Sequence, residues 1–319
     1  MKRIAVLTSG GDAPGMNAAI RAVVRTAIFY DMEIYGIYQG YAGLIEREIR
    51  RMDILSVDDI IHRGGTILDS SRSKYFMTRR GKEEAKKALE EFGIDALIVI
   101  GGDGSYRGAL ELSAMGVEVM CIPGTIDNDV SSTDYTIGFD TAVNTAVDAI
   151  SKISDTSAAH NRGNVVQVMG RDTGYIALYA GIAGGAESVM LPEIEADLDG
   201  IYKKMLASKN MGKMHSISVV AEGAGEYMQI ADDMFKHTGI ETKGTNLGYI
   251  QRGGSPSAFD RILASVMGAM AVELVLKGQT NRAMSFKDGK YTHFDLSEAI
   301  GMKKELDSEL YRIMNMISM

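Results

Sequence analysis

Ala96-Leu97-Ile98-Val99-Ile100 runs without a break into Gly101-Gly102-Asp103-Gly104-Ser105. Five consecutive apolar residues, three of them β-branched, predict a strand buried on both faces, as in a parallel sheet covered by helices. A helix is expected to follow over residues 106–115. Strand, glycine turn and helix leave free backbone N–H groups at a helix N-terminus, where an anion can sit. A Cβ in that turn would obstruct a phosphate and forbid positive φ. Asp103 suits such a place only if a hard cation such as Mg²⁺ lies between it and the phosphates. The same residues also suit a plain Asx turn, with Asp103 and Ser105 capping the helix.

The pattern recurs along the chain. Residues 4–7 form an apolar run ending in Thr8-Ser9-Gly10-Gly11-Asp12-Ala13-Pro14-Gly15-Met16-Asn17, with a helix expected over about 17–30. Residues 33–38 lead to Gly40-Tyr41-Ala42-Gly43, and residues 117–122 to Pro123-Gly124-Thr125-Ile126-Asp127-Asn128-Asp129. Residues 164–169 end in Gly170-Arg171-Asp172-Thr173-Gly174, and residues 216–221 in Glu222-Gly223. Tyr249-Ile250-Gln251-Arg252-Gly253-Gly254 precedes a long apolar helix at about 257–277. Asp288-Gly289 between short alternating runs predicts a hairpin. Apolar strands alternating with helices predict an α/β fold with a mainly parallel sheet covered on both faces. In such folds ligands bind at the carboxyl ends of the strands. Those ends carry nearly all the Gly, Asp and Arg residues singled out here.

Composition removes several classes. A net charge of −8 disfavours a broad nucleic-acid or anionic-membrane surface. A single cysteine, Cys121, rules out an internal disulfide and suits a reducing compartment. The five histidines are scattered without zinc-site spacing. The apolar run after Met1-Lys2-Arg3 is too short for a signal peptide, and no run approaches the roughly 20 residues of a membrane span. A cytoplasmic location is expected. Gly10 to Gly15 has P-loop spacing, but Met16-Asn17 stands where Lys-Ser/Thr is required. Neither glycine turn matches a dinucleotide fingerprint, and the Gly-x-Ser-x-Gly elbow of acyl transfer is missing from the sequence.

The remaining set suits phosphoryl transfer, which needs a backbone cradle, a metal, a base for the acceptor hydroxyl, and cations to offset charge. Carboxylates are available at Asp103, Asp127, Asp129 and Glu222, and cations at Arg72, Arg162, Arg171, Lys243 and Arg252. Asp127 and Asp129, at i and i+2, face opposite ways on extended chain. One can serve as base and the other reach the metal shell. A turn whose Asp and Asn satisfy their own backbone is the plainer reading of this segment.

Taken in order, these motifs resemble the bacterial ATP-dependent 6-phosphofructokinases over essentially the whole chain. The resemblance rests on residues 7–17, Gly101 to Ser105, Pro123 to Asp129, Val168-Met169-Gly170-Arg171, Ala221-Glu222-Gly223 and Gln251-Arg252-Gly253-Gly254. It implies transfer of the ATP γ-phosphate to the 1-hydroxyl of fructose 6-phosphate in glycolysis. It implies two Rossmann-like lobes with the active site in the cleft between them: a nucleotide lobe of 1–138 plus about 256–300, and a sugar-phosphate lobe of 139–255 plus about 301–319. Asp127 would be the base, with Thr125, Arg72 and Arg171 sharing the catalytic work. Gly11, Tyr41, Arg72, Ser73, Gly102, Asp103, Gly104, Ser105 and Gly108 would line the nucleotide, Asp103 serving Mg²⁺. Thr125, Asp127, Arg162, Met169, Gly170, Arg171, Glu222, Lys243, Tyr249 and Arg252 would hold fructose 6-phosphate. Arg162 and Lys243 match positions that reach a neighbouring subunit's site, so a homotetramer with shared active sites is implied.

Relatives that use pyrophosphate carry Asp at the position of Gly104 and Lys at that of Gly124; glycine at both favours ATP. Arg21, Arg25, Gly185, Glu187, Lys213 and His215 match the family's effector site for ADP or phosphoenolpyruvate. Ser154 and Met211 stand where arginine is common, so a blunted allosteric response is expected. A regulatory protein that kept only the fold, or a kinase for another sugar phosphate, are the alternatives. Lys243 replaces the family's usual arginine and Tyr249 its histidine. Lysine keeps the charge but loses the bidentate fork. Lys243→Arg is therefore expected to lower the KM for fructose 6-phosphate in steady-state assays; an unmoved KM would count against a weakened grip.

Overall fold

Every residue of the strand Ala96–Gly101 is buried, as its unbroken apolar run requires of a strand with helices on both sides. The computed structural model describes residues 2–318. In chain order the first elements are β1 (Arg3–Ser9), α1 (Met16–Phe29), β2 (Glu33–Ile37), α2 (Gly40–Glu46) and β3 (Ile49–Arg51). Next come α3 (Arg79–Glu91), β4 (Ala96–Gly101), α4 (Asp103–Ala114) and β5 (Glu118–Pro123). They are followed by α5 (Phe139–His160), β6 (Gly163–Val168), α6 (Tyr175–Ala183), β7 (Ser188–Met190) and α7 (Leu198–Asn210). β8 (Ser216–Ala221), α8 (Tyr227–Thr238) and β9 (Thr242–Asn246) complete that run. The chain closes with α9 (Ala258–Leu276), β10 (Arg282–Lys287), β11 (Lys290–Asp295), α10 (Leu296–Gly301) and α11 (Ser308–Ile317).

The chain divides into two units, Met1–Thr141 with Arg252–Lys304, and Ala142–Gln251 with Glu305–Met319. The crossings fall a few residues from positions 138, 255 and 300, and they put Arg252 in the first unit. The first unit holds a seven-stranded sheet ordered β11-β10-β5-β4-β1-β2-β3, parallel except at its two edges. Ala5 and Leu7, Leu97 and Val99, and Val119 and Cys121 face one core beneath α2, α3, α4 and α10. The intervening residues Ile4, Val6, Ile98, Ile100, Met120 and Ile122 are buried on the opposite face, where α1 and α9 pack. Those two helices approach closely at Gly268, where a Cβ would stand 2.8 Å from that of Ala22. Burial pushes the Cys121 thiol up, far from the range of a reactive thiolate.

The second unit holds a parallel sheet ordered β7-β8-β6-β9. Val165, Met190 and Val220 pack on one face against Tyr202 and Met205 of α7 and Ala231 and Met234 of α8. α6, backed by α11, packs on strands β6, β7 and β8. Among the described residues no helix is long and apolar enough to cross a membrane.

Three local expectations change. Gly40 to Gly43 is not a loop but the start of α2, entered through Gln39 at φ 58°. The helix after β4 begins at Asp103 rather than Tyr106, so Asp103, Gly104 and Ser105 form its first turn. The short strands β3, β7 and β9 were not foreseen: three residues, or a polar sequence such as Thr-Lys-Gly-Thr-Asn, carry too little apolar signal. The hairpin is present, with Asp288 and Gly289 both at positive φ as a two-residue primed turn requires.

Asp260, at the start of α9, is a buried carboxylate with several partners. Its oxygens accept from the backbone N–H groups of Gly138 at 2.9 Å and Thr141 at 2.8 Å, and from Thr141 Oγ1 at 2.5 Å. It thereby satisfies donors at the start of α5 that have no partner within that helix. Burial pushes its carboxyl up to about 6 against these hydrogen bonds. The folded chain then holds more protons than the unfolded one between about 4 and about 6, so this group's contribution to stability is largest below that window and falls as pH rises through it. Asp260→Ala is expected to cost about 3 kcal/mol by leaving three donors stranded. Thermal melts across pH 4–7 should show a lower Tm and the loss of that slope.

Candidate active site

The first unit gathers its polar loops where β1 and β4 part company. β1 pairs with β4 on one side and β2 on the other, so the chain leaving β1 and the chain leaving β4 diverge there. Such a switch point opens a crevice at the carboxyl ends of the strands. Ser9 and Gly101 are partners across the two strand ends. Ser105 Oγ donates to the Ser9 carbonyl at 3.0 Å, which ties the first turn of α4 onto β1. A Cβ at Gly101 would lie 2.5 Å from both Ser105 Oγ and the Ser9 carbonyl oxygen, so this junction admits only glycine. Gly10 and Gly15 sit at φ 90° and 105°, and Gly15 opens α1.

The polar loop of residues 63–74 hangs from this junction. Asn17, fully buried on α1, donates to the carbonyls of Arg63 and Gly64 and accepts from Ile67 N–H at 2.8 Å. Thr8 Oγ1 donates to the Asp69 carbonyl at 2.8 Å and meets Thr66 Oγ1 at 2.9 Å. Ser70 Oγ donates to the Gly10 carbonyl at 2.6 Å. Arg72 is exposed at the end of this held segment, and Ser73 Oγ accepts from Phe76 N–H. Sequence reasoning missed Asn17 and Thr8 as supports. Their signal was present: two polar residues on faces that the strand and helix patterns assign to the core.

Tyr41 and Gly108 meet at α4. Tyr41 is buried, its hydroxyl donates to the Ser105 carbonyl at 2.7 Å, and its ring stacks on Phe76 with centroids 4.0 Å apart. A Cβ at Gly108 would come within 2.9 Å of both rings. Burial raises the Tyr41 hydroxyl well above its ordinary range, so it stays a neutral donor. In this structure both residues brace the glycine turn. Asp103 Oδ2 accepts from Arg107 Nε at 2.7 Å on the same helix, a bond that raises the guanidinium further. Apart from its chain neighbours and the backbone of its own helix, nothing lies within 4 Å of where a Cβ at Gly104 would stand, so that position faces open space.

The segment after β5 lies beside this turn, since Gly101 and Pro123 are register partners and a Cβ at Gly102 would stand 3.5 Å from that of Thr125. Asp127 is buried, with its N–H on Thr125 Oγ1 at 3.2 Å. Asn128, at φ 52°, donates to the Asp134 carbonyl and accepts from Thr136 N–H, both at 3.0 Å. Asn128 thus ties the segment to residues 134 and 136 rather than to its own turn. Arg252 also belongs here: its Nη1 donates to the Asp12 carbonyl at 3.3 Å, and a Cβ at Gly11 would stand 2.2 Å from that nitrogen. Gly254 is packed on Gly64, and Ser255 Oγ donates to the His62 carbonyl.

In the second unit the strand ends of β6 and β8 are also joined. Val168 pairs with Ala221, and Arg171 N–H donates to Glu222 Oε1 at 2.7 Å. Arg171 itself is left-handed at φ 56°, and Gly170, at φ 139°, is closed against the Thr173 carbonyl. The Arg171 side chain is exposed beside Asp172. Met169 N–H donates to Oε1 of the buried Gln251 at 3.2 Å, which fixes the short turn carrying Tyr249, 82% exposed. Arg162, just before β6, and Lys243, on the neighbouring strand β9, share Glu241 at 3.0 and 2.9 Å. The hydrogen bond from Lys243, with that from Arg162, lowers the Glu241 carboxyl.

Of the effector candidates, Gly185, Glu187 and Lys213 line one pocket of about 100 Å³ with Met314 and Ser318. Glu187 pairs with Lys213 and accepts from Ile217 N–H at 2.6 Å. His215 is half-buried just before β8. Arg21 and Arg25 are on α1 of the first unit, Arg25 reaching Asp58 at 3.5 Å. Met211 is exposed and Ser154 half-buried.

The family model for phosphofructokinase matches residues 3–275. The chain belongs to the phosphofructokinase family. An ATP-dependent 6-phosphofructokinase of Clostridium acetobutylicum is 55% identical over 318 residues, and one of Alkaliphilus metalliredigens is 53% identical, each alignment covering 100% of both chains. Among solved structures, the phosphofructokinase of Pichia pastoris in the T-state superposes with a TM-score of 0.89 at 35% identity. That match covers 99% of this chain and 36% of the longer Pichia chain.

Phosphofructokinase activity should register the contact at Gly11. Gly11→Ala displaces only the flexible end of Arg252, so the melting temperature is expected to stay within about 2 °C. With Arg252 pushed off the Asp12 carbonyl, kcat/KM should fall about tenfold. Paired melts and initial rates check this.

Proposed function

We propose that this chain is an ATP-dependent 6-phosphofructokinase, transferring the γ-phosphate of ATP to the 1-hydroxyl of fructose 6-phosphate to give fructose 1,6-bisphosphate and ADP. The full-length identity to bacterial enzymes of that name supports it. The observation that carries it is the alignment, within one unit, of the Gly10-Gly11 turn, the Gly102 to Ser105 turn and the Thr125 to Asp127 segment at adjacent strand ends.

In this reading the nucleotide phosphates lie along the glycine turns, where N–H groups at the start of α4 offset their charge. Asp127 accepts the proton of the 1-hydroxyl as that oxygen attacks the γ-phosphorus and ADP departs. Arg72 and Arg171 offset charge on the moving group, with Thr125 beside it. Asp103 would hold Mg²⁺: a half-exposed carboxylate in the first turn of α4, paired in this structure with Arg107 at 2.7 Å, suits an ion whose shell is completed by phosphates and water. When bound, the ion neutralises phosphate charge. Arg162, Met169, Gly170, Glu222, Lys243, Tyr249 and Arg252 hold fructose 6-phosphate. The enzyme works as a cytoplasmic homotetramer with shared active sites. An effector anion, ADP or phosphoenolpyruvate, binds at Gly185, Glu187, Lys213, His215, Arg21 and Arg25. Ser154 and Met211 make that response weak.

Glycine at 104 and 124 supports ATP as donor. The open space at 104 admits a carboxylate without disturbing the fold, whereas a Cβ at 124 would press on Ile100 and Met16 at 3.0 and 3.2 Å. Initial rates with fructose 6-phosphate should be high with Mg-ATP and at background with Mg-pyrophosphate. Gly104→Asp should cut the ATP rate at least tenfold with an unchanged melting temperature, since a new carboxylate repels the nucleotide. A rate with pyrophosphate matching that with ATP would refute the donor assignment.

A further inference from the structure

We propose that Lys304 is a positioning residue for phosphoryl transfer, holding the Asp127 segment in place through the Asp134 carbonyl and Asn128. The proposal rests on the reading of Asp127 as the base. Lys304 lies beyond every motif discussed above, as the last residue of the first unit. Its Nζ donates to the Asp134 carbonyl at 3.1 Å, and the same oxygen accepts from Asn128 Nδ2 at 3.0 Å. A carbonyl oxygen has two lone pairs, and here both are directed to this one task. Asn128 is covalently next to Asp127 and holds a left-handed φ of 52°, a conformation that asparagine tolerates and that its side-chain bonds fix here. Those bonds bridge Asp134 and Thr136.

Asp134 is itself immobilised. Its N–H donates to the Phe286 carbonyl at 2.9 Å, and its carboxylate accepts from Asp288 N–H at 2.8 Å. Thr133 and Ser132 add bonds to Phe286 and Ser285. The β10–β11 hairpin thus fixes one side of the loop and Lys304 the other. The ammonium also brings positive charge to an acidic segment. Asp134 and Asp129 favour its protonated form, while Lys287 at the end of β10 opposes it. Burial outweighs them and brings the amine down to about 7. The lysine therefore loses its charge as pH rises through about 7, and the charge-assisted part of its hold on the loop weakens there.

The test uses the full-length enzyme. Lys304→Met should lower kcat on the order of tenfold, with both KM values within about twofold, because displaced catalytic groups cost rate more than ground-state binding. Lys304→Arg, which stays charged, should restore most of kcat and remove any decline of kcat between pH 7 and 9 that the native enzyme shows. If Lys304→Met fails to fold, the native and Lys304→Arg pH profiles decide the matter. Asn128→Ala combined with Lys304→Met should cost less than the sum of the single changes, as expected for residues acting through one carbonyl. Native kcat in Lys304→Met, or superimposable profiles for the native enzyme and Lys304→Arg, would overturn the proposal. Asp127→Asn in the same assay separates the two readings. Its retention of full activity would remove the base on which the proposal rests, whereas its inactivity beside a fully active Lys304→Met would remove only the role of Lys304.

Discussion

The parallel pairing of β1 with β4 is the constraint from which the first unit is built. The two strands end together at Ser9 and Gly101, and the Ser105 hydroxyl closes the gap between them. Because no side chain fits at Gly101, the first turn of α4 can lie against β1, and its N–H groups are directed beyond the strand ends. β5 adds its own end one strand further out, bringing Thr125 and Asp127 alongside. Burial of both sheet faces keeps this edge rigid, since shifting any strand by one residue would exchange its two hydrophobic sets.

A second layer of constraint is polar and buried. Thr8, Asn17, Asn128, Gln251 and Asp260 are each nearly or wholly inaccessible and each accept or donate to backbone outside their own element. An unpaired polar group in such a place costs more than an ordinary hydrogen bond contributes. These residues therefore select one arrangement of the loops rather than merely adding stability. The glycine-rich segments supply close approach, and the buried amides and hydroxyls decide where that approach is made.

Much of this was legible from the chain alone. Continuous runs such as residues 96–100 announced the parallel sheets, Asp288-Gly289 announced the hairpin, and the ordered motifs announced the family. What escaped notice had weak or ambiguous local signals. β9 is polar and becomes a strand only because β6 offers its edge. Tyr41 reads as a loop residue after β2, yet tertiary stacking on Phe76 makes it a brace. Arg252 sits beside Gly11 although 241 residues separate them, a proximity no periodicity can encode. Lys304 stands in a short lysine pair that composition alone would assign to a solvated face.

The bond that Arg162 and Lys243 share on Glu241 has a consequence for anion binding. Two cations held near each other repel, and the carboxylate between them offsets that repulsion. All three side chains are well exposed, so the arrangement contributes little to stability and is cheap to dissolve. Glu241 is in effect a tethered counterion. In the function proposed above, a sugar phosphate would exchange with an anion already in place rather than fill an unopposed positive site, so its net gain would be the difference between two ion pairs.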